Sequence, residues 1–98
     1  MAEVAFHPAA LREYLSAVAW YRERNASAAE RLVAEVDAVL AQIAVQPDRF
    51  AWYDDEFREA VLLRFPYSLI YRIDARGDGL VMAVAHASRE PGYWHDRV

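Results

Sequence analysis

The sequence predicts an α+β protein of order β-α-α-β-β-β: a small antiparallel sheet with a helical hairpin packed on one face. Three observations lead there. Residues 9–46 carry apolar positions at spacings of three and four, interrupted once at Asn25-Ala26, which is the period of two amphipathic helices. From Arg58 onward the period changes to short apolar or alternating runs punctuated by Phe65-Pro66 and Arg76-Gly77-Asp78-Gly79, the pattern of strands joined by turns. Helices grouped before the strands favour an α+β layer over an interleaved parallel sheet.

Each element has a local reason. Glu3-Val4-Ala5-Phe6 is a short strand, closed by His7-Pro8, because proline is tolerated in the first turn of a helix where its missing N–H is not needed. The first helix runs from Ala9 to about Arg24, with Leu11, Tyr14, Leu15, Val18 and Tyr21 as its apolar stripe. Ser27-Ala28-Ala29-Glu30 reads as a capping box for a second helix reaching about Gln46, before Pro47. Leu32, Val36, Val39, Leu40 and Ile43 form that helix's stripe, and the short connection implies an antiparallel pair.

Asp48 to Glu56 is irregular, and Arg58 to Arg64 is a strand. Residues 67–74 alternate, placing Leu69, Tyr71 and Ile73 on one face and Ser68, Ile70 and Arg72 on the other. The Arg76–Gly79 turn, with glycines to supply positive φ, leads into Leu80–Ala85 and closes a hairpin. In this phase His86 falls with Leu80, Met82 and Val84, on the core-facing side at the end of the last strand.

Composition narrows the chemistry. Ninety-eight residues suit a single domain, 1–98, and 56% hydrophobic residues suffice for its core. Without cysteine there is no disulfide or thiolate metal site. No apolar run reaches the roughly 18 residues of a membrane span, so a soluble, cytoplasmic protein is expected. All eleven basic residues are arginine, which can bind phosphate or carboxylate but does not readily act as a proton-transfer base. The net charge of −4 disfavours non-specific nucleic-acid binding over the whole surface. Three adjacent acids, Asp54-Asp55-Glu56, form a solvated loop rather than a metal site. With three glycines in all, there is no phosphate-binding glycine loop, and no cofactor or metal is expected.

The tail, His86-Ala87-Ser88-Arg89-Glu90-Pro91-Gly92-Tyr93-Trp94-His95-Asp96-Arg97-Val98, mixes guanidinium, imidazole and aromatic rings. Such a mixture suits a contact surface, with Arg89 and Arg97 binding anions and Tyr93-Trp94 stacking on a base or anchoring a partner. The alternative is that the rings fold back over the sheet and the arginines pair with nearby acids. Arg58, Arg64 and Arg72 could form a guanidinium patch on the sheet face away from the helices. His86 is either a hydrogen-bonded residue at the core's edge or an acid–base group. Tyr14, Trp20 and Tyr21 on the first helix are candidates for docking a partner or a second copy.

Three signatures in order, over nearly the whole chain, resemble the RelE/ParE superfamily of type II toxin–antitoxin toxins, most closely the ParE-like or plasmid-stabilisation branch. They are Val4-Ala5-Phe6-His7-Pro8-Ala9-Ala10 with Trp20-Tyr21, then Arg64-Phe65-Pro66-Tyr67-Ser68-Leu69-Ile70-Tyr71-Arg72-Ile73, then the His…Arg…Pro…Tyr-Trp…Arg ending. The resemblance implies a growth-inhibiting toxin, held silent by a cognate antitoxin in a hetero-oligomer, with DNA gyrase as the target. Its target-binding residues would be Arg58, Arg64, Arg72, His86, Arg89, Tyr93, Trp94 and Arg97. The RelE-like branch implies instead a ribosome-dependent mRNA endonuclease, for which His86, Arg89 and Tyr93 are the catalytic candidates. The chain departs from that branch: it has no lysine, and Ser68 stands where the branch has a basic residue. A third reading is a non-toxic protein-binding module of the same fold.

Overall fold

A computed structural model describes residues 1–98. Strand β1 (Val4–Phe6) is followed by helices α1 (Pro8–Arg24) and α2 (Ala26–Val45), then strands β2 (Arg58–Val61), β3 (Tyr67–Ile73) and β4 (Gly79–His86). The sheet order is β1-β4-β3-β2. The last three strands form the expected antiparallel meander, and β1 joins β4 in parallel, which makes the sheet mixed. Neither helix is long and apolar enough to cross a membrane.

One residue makes the helical hairpin. The Asn25 N–H donates to the Tyr21 carbonyl at 2.6 Å and ends α1, while its side-chain oxygen accepts the Ala28 N–H at 3.1 Å and begins α2. Asn25, not Ser27, is therefore the cap of α2. Ser27 already lies inside the first turn, where its hydroxyl accepts from Arg31 at 2.7 Å. Asn25→Ala removes the cap acceptor and should cost about 1 kcal/mol, read as a lowered urea midpoint, whereas Ser27→Ala should change stability little.

Helix α2 buries Leu32, Val36, Val39 and Ile43 as its periodicity requires. Helix α1 is rotated from its expected stripe: Ala10, Ala17 and Val18 are buried, while Leu11 and Leu15 face outward. Small residues on the inner side let α1 approach closely, so the larger leucines are turned out. These residues pack with Ala60, Leu62, Leu69, Tyr71, Val81 and Val84 in the main core. Gly77 takes the positive φ of the β3–β4 turn, at 86°. Gly79 serves close packing instead, since a Cβ there would lie 3.1 Å from the Ile43 side chain.

Two features break the expected alternation. Strand β2 ends at Val61, so Arg64 lies in the following turn. Between Ile70 and Tyr71 the register jumps, pairing Ile70 with Ala83 and Tyr71 with Val81 and leaving Met82 as an extra residue. This bulge puts Met82 and Ala83 on the same face, away from the helices, and returns Val84 to the helix side. His86 thus shares its face with Val84 but not with Leu80 and Met82.

The face away from the helices is also covered. Phe57, Ile70, Met82, Ala83 and Trp94 form a second buried cluster, flanked by Tyr53 and Tyr93. The sheet is apolar on both faces, so both must be shielded from water. The segment before β2 and the C-terminal tail supply that cover.

Candidate functional site: a groove between helix α1 and the sheet

Strand β1 pairs with β4 only as far as Val81, leaving the outer edge of β4 open beyond it. Side chains close that edge. Glu13, from α1, accepts the Val84 N–H at 3.0 Å, and Arg97, from the tail, donates to the Met82 carbonyl at 2.8 Å. Arg97 also grips Glu13 through both terminal nitrogens, at 3.0 and 2.7 Å, and the Tyr93 hydroxyl donates to Glu13 at 2.7 Å. Each Glu13 oxygen accepts two bonds. Burial alone raises the Glu13 carboxyl, but the hydrogen bonds from Arg97, Tyr93 and Val84 outweigh it and hold it below its ordinary range. Tyr93 moves the other way, pushed up to about 12 by burial and by its bond to Glu13.

Beside this cluster lies a groove of about 850 Å³, within the range of ligand sites. Its α1 wall is a stripe of mostly small residues one or two turns apart, Ala9, Glu13, Ser16 and Ala17, ending at Trp20 and Tyr21. Pro66 and Tyr67 at the start of β3, and Val84 and His86 near the end of β4, form the other wall. Arg12, Arg89 and Arg97 complete it. The ring of Tyr67 meets His86 edge-on at 5.0 Å, and His86 Nδ1 accepts the Ser88 N–H at 3.0 Å. The Arg89 guanidinium lies 3.9 Å over the Tyr93 ring and reaches no carboxylate.

Of the residues singled out in the sequence, Trp20, Tyr21, His86, Arg89 and Arg97 converge on this groove. Others do not. Trp94 is 2% exposed, the centre of the second buried cluster, and offers no free ring face. Arg97 is committed to Glu13 and Met82, and Tyr93 to Glu13. The guanidinium patch does not form. Arg58 stands opposite Tyr71 on the helix side, donating to the Asp48 and Phe50 carbonyls at 3.1 and 2.8 Å under the Trp52 ring. Arg72 points to the other face and pairs with Glu56 at 3.7 Å, an exposed contact of small energetic weight. Tyr14 stacks on Phe6 at 5.8 Å, away from the groove. Arg12, Glu13, Ser16 and Tyr67 escaped the sequence reading, although the Ala9-Glu13-Ser16-Ala17 spacing marks a helix face too small-featured to fill its own contact.

The profile of the ParE toxin family of type II toxin–antitoxin systems, parDE, matches residues 4–91. The chain belongs to the ParE toxin family. Its fold is similar to that of a chain from the chromosomal ParDE toxin–antitoxin system of P. aeruginosa, with a TM-score of 0.73 and 13% identity, covering 88% of this chain and 96% of that one. No curated protein sequence matches the chain.

Within this ParE-family fold the tail forms an ordered strap. Trp94 anchors it on the sheet, and His95 stacks on Trp94 and binds Asp54 at 2.9 Å. The bond to Asp54 raises the His95 imidazole above its ordinary value. Gly92 has a φ of 78°, and a Cβ there would lie 2.7 Å from His95 Nδ1, so glycine is what lets the strap turn back. Of the tail's basic set, Arg89 and His95 are exposed and His86 is partly so, but His95 is held by Asp54, whereas Arg89 has no carboxylate partner.

Proposed function

We propose that the chain is the toxin of a type II toxin–antitoxin pair, acting in the cytoplasm by binding DNA gyrase and silenced by a cognate antitoxin in a hetero-oligomeric complex. The family match over residues 4–91 carries this reading. The antitoxin packs beside the helical hairpin or adds to a sheet edge, two economical ways for a peptide to bury apolar surface. Arg89, exposed and free of carboxylate partners, is the tail residue best placed to meet the target. Expressing the chain alone in bacteria should arrest growth with an SOS response and altered supercoiling, and co-expression of the neighbouring antitoxin should restore growth. Arg89→Ala should relieve the arrest at unchanged protein level, because its side chain supports only a surface ring contact. Normal growth with intact soluble wild-type protein sinks the proposal and favours a non-toxic binding module.

The nuclease reading is weaker in this chain. The Tyr93 hydroxyl, with its pKa near 12, is spent on Glu13 and is a poor proton acceptor. Mapping mRNA 5′ ends after induction separates the readings, since codon-phased cuts would establish ribosome-dependent cleavage.

A further inference from the structure

We propose that the groove between α1 and the sheet is a binding site for a phosphate group carried on a planar ring, the chemistry of a nucleotide. Its polar groups are unbalanced in one direction. Three guanidiniums, Arg12, Arg89 and Arg97, face a single carboxylate, Glu13, a local balance of +2 in a chain of net charge −4. Glu13 has no acceptor capacity left, because each oxygen already takes two hydrogen bonds. Arg12 and Arg89 have no carboxylate within reach.

The other groups along the groove are donors as well. His86 Nδ1 accepts a backbone N–H, so the neutral ring carries its proton on Nε2. The Tyr67 phenol, raised by burial and by neighbouring Tyr21, stays protonated. A ligand here must therefore bring oxygens and negative charge. Two guanidinium forks with added N–H and O–H donors match the several oxygens of a phosphate better than one carboxylate. The half-buried Tyr21 and Tyr67 rings and the half-exposed Trp20 supply aromatic surface, against which a flat ring stacks with little regard to its identity.

Calorimetry on the purified full chain tests this without any cellular target. Adenosine 5′-monophosphate should bind saturably at one site, and adenosine or inorganic phosphate alone should bind at least about tenfold more weakly, about 1.4 kcal/mol. Arg12→Ala and Arg89→Ala should each weaken binding by a similar factor, Arg22→Ala should not, and affinity should fall with added salt. Amide shifts at Ser16 and Tyr67 on titration should place the ligand in the groove. A 5′-phosphorylated thymidine oligonucleotide that matches or exceeds the mononucleotide identifies a strand end as the source of the phosphate. One that binds less tightly identifies the free nucleotide. Equal binding to the Arg12→Ala/Arg89→Ala double variant, equal binding of adenosine, or no saturable binding overturns the proposal. Tighter binding of an acidic peptide overturns it too, and assigns the groove to a protein segment.

Discussion

Trp94→Ala is expected to destabilise the protein by about 3–5 kcal/mol, the range for deleting a large buried aromatic. The indole is 2% exposed and packs edge-on against Tyr53 at 5.0 Å and Phe57 at 6.4 Å, over Ile70, Met82 and Ala83. Its removal leaves a cavity under the strap and frees residues that close the edge of β4. Trp94→Phe should cost far less. It keeps most of the ring contact and deletes an indole N–H that is buried without a partner. Urea unfolding followed by circular dichroism measures both. A loss below about 1 kcal/mol for the alanine variant, the usual size of a surface change, would falsify the view that the tail is part of the core.

Glu13→Gln should cost about 2–3 kcal/mol at neutral pH, somewhat below the value for a fully buried ion pair losing one partner. Glutamine keeps the shape and can still accept the Val84 N–H, but Arg97 loses its charge partner while both side chains are 18% exposed. The pH dependence has a definite sign. The folded-state pKa of Glu13 lies below its ordinary 4.5, so its contribution is present above that value and lost as pH falls through the folded value. Wild-type protein should therefore weaken on acidification, and Glu13→Gln should show a shallower acid limb. Asp54 is depressed as well: burial opposes the shift, and bonds from His95 and the Glu56 and Phe57 N–H groups outweigh it. Asp54→Asn supplies the comparison. His95 acts in the opposite sense, because a raised imidazole contributes below its ordinary 6.5 and loses that contribution as pH rises through the folded value. An unchanged acid limb in Glu13→Gln would show that the cluster does not set the acid response.

The periodicity of α2, the Gly77 turn and the meander of β2, β3 and β4 were legible because each rests on contacts within a few residues or on one repeating spacing. The sense of β1 was not, since joining β4 in parallel depends on where the whole helical hairpin returns the chain. The capping error at Ser27 arose between two competent side chains two residues apart. Asn25 prevailed because the same residue also ends α1. The outward turn of Leu11 and Leu15 reflects a choice between volume and closeness of approach that a one-dimensional stripe does not contain.

The candidate site divides along the same line. Which groups could do chemistry, arginine in place of lysine, a tail of rings and imidazole, no thiol, follows from residue identity and holds in any conformation. Which of them are free depends on partners distant in the chain. Glu13 and Arg97 stand 84 residues apart, and their meeting turns an expected effector residue into a brace. The extra residue Met82 likewise flips the phase of β4 and carries His86 to the groove. Side-chain chemistry is local, whereas exposure and protonation are properties of what packs alongside, and that is decided when helix, strand edge and tail close on one another.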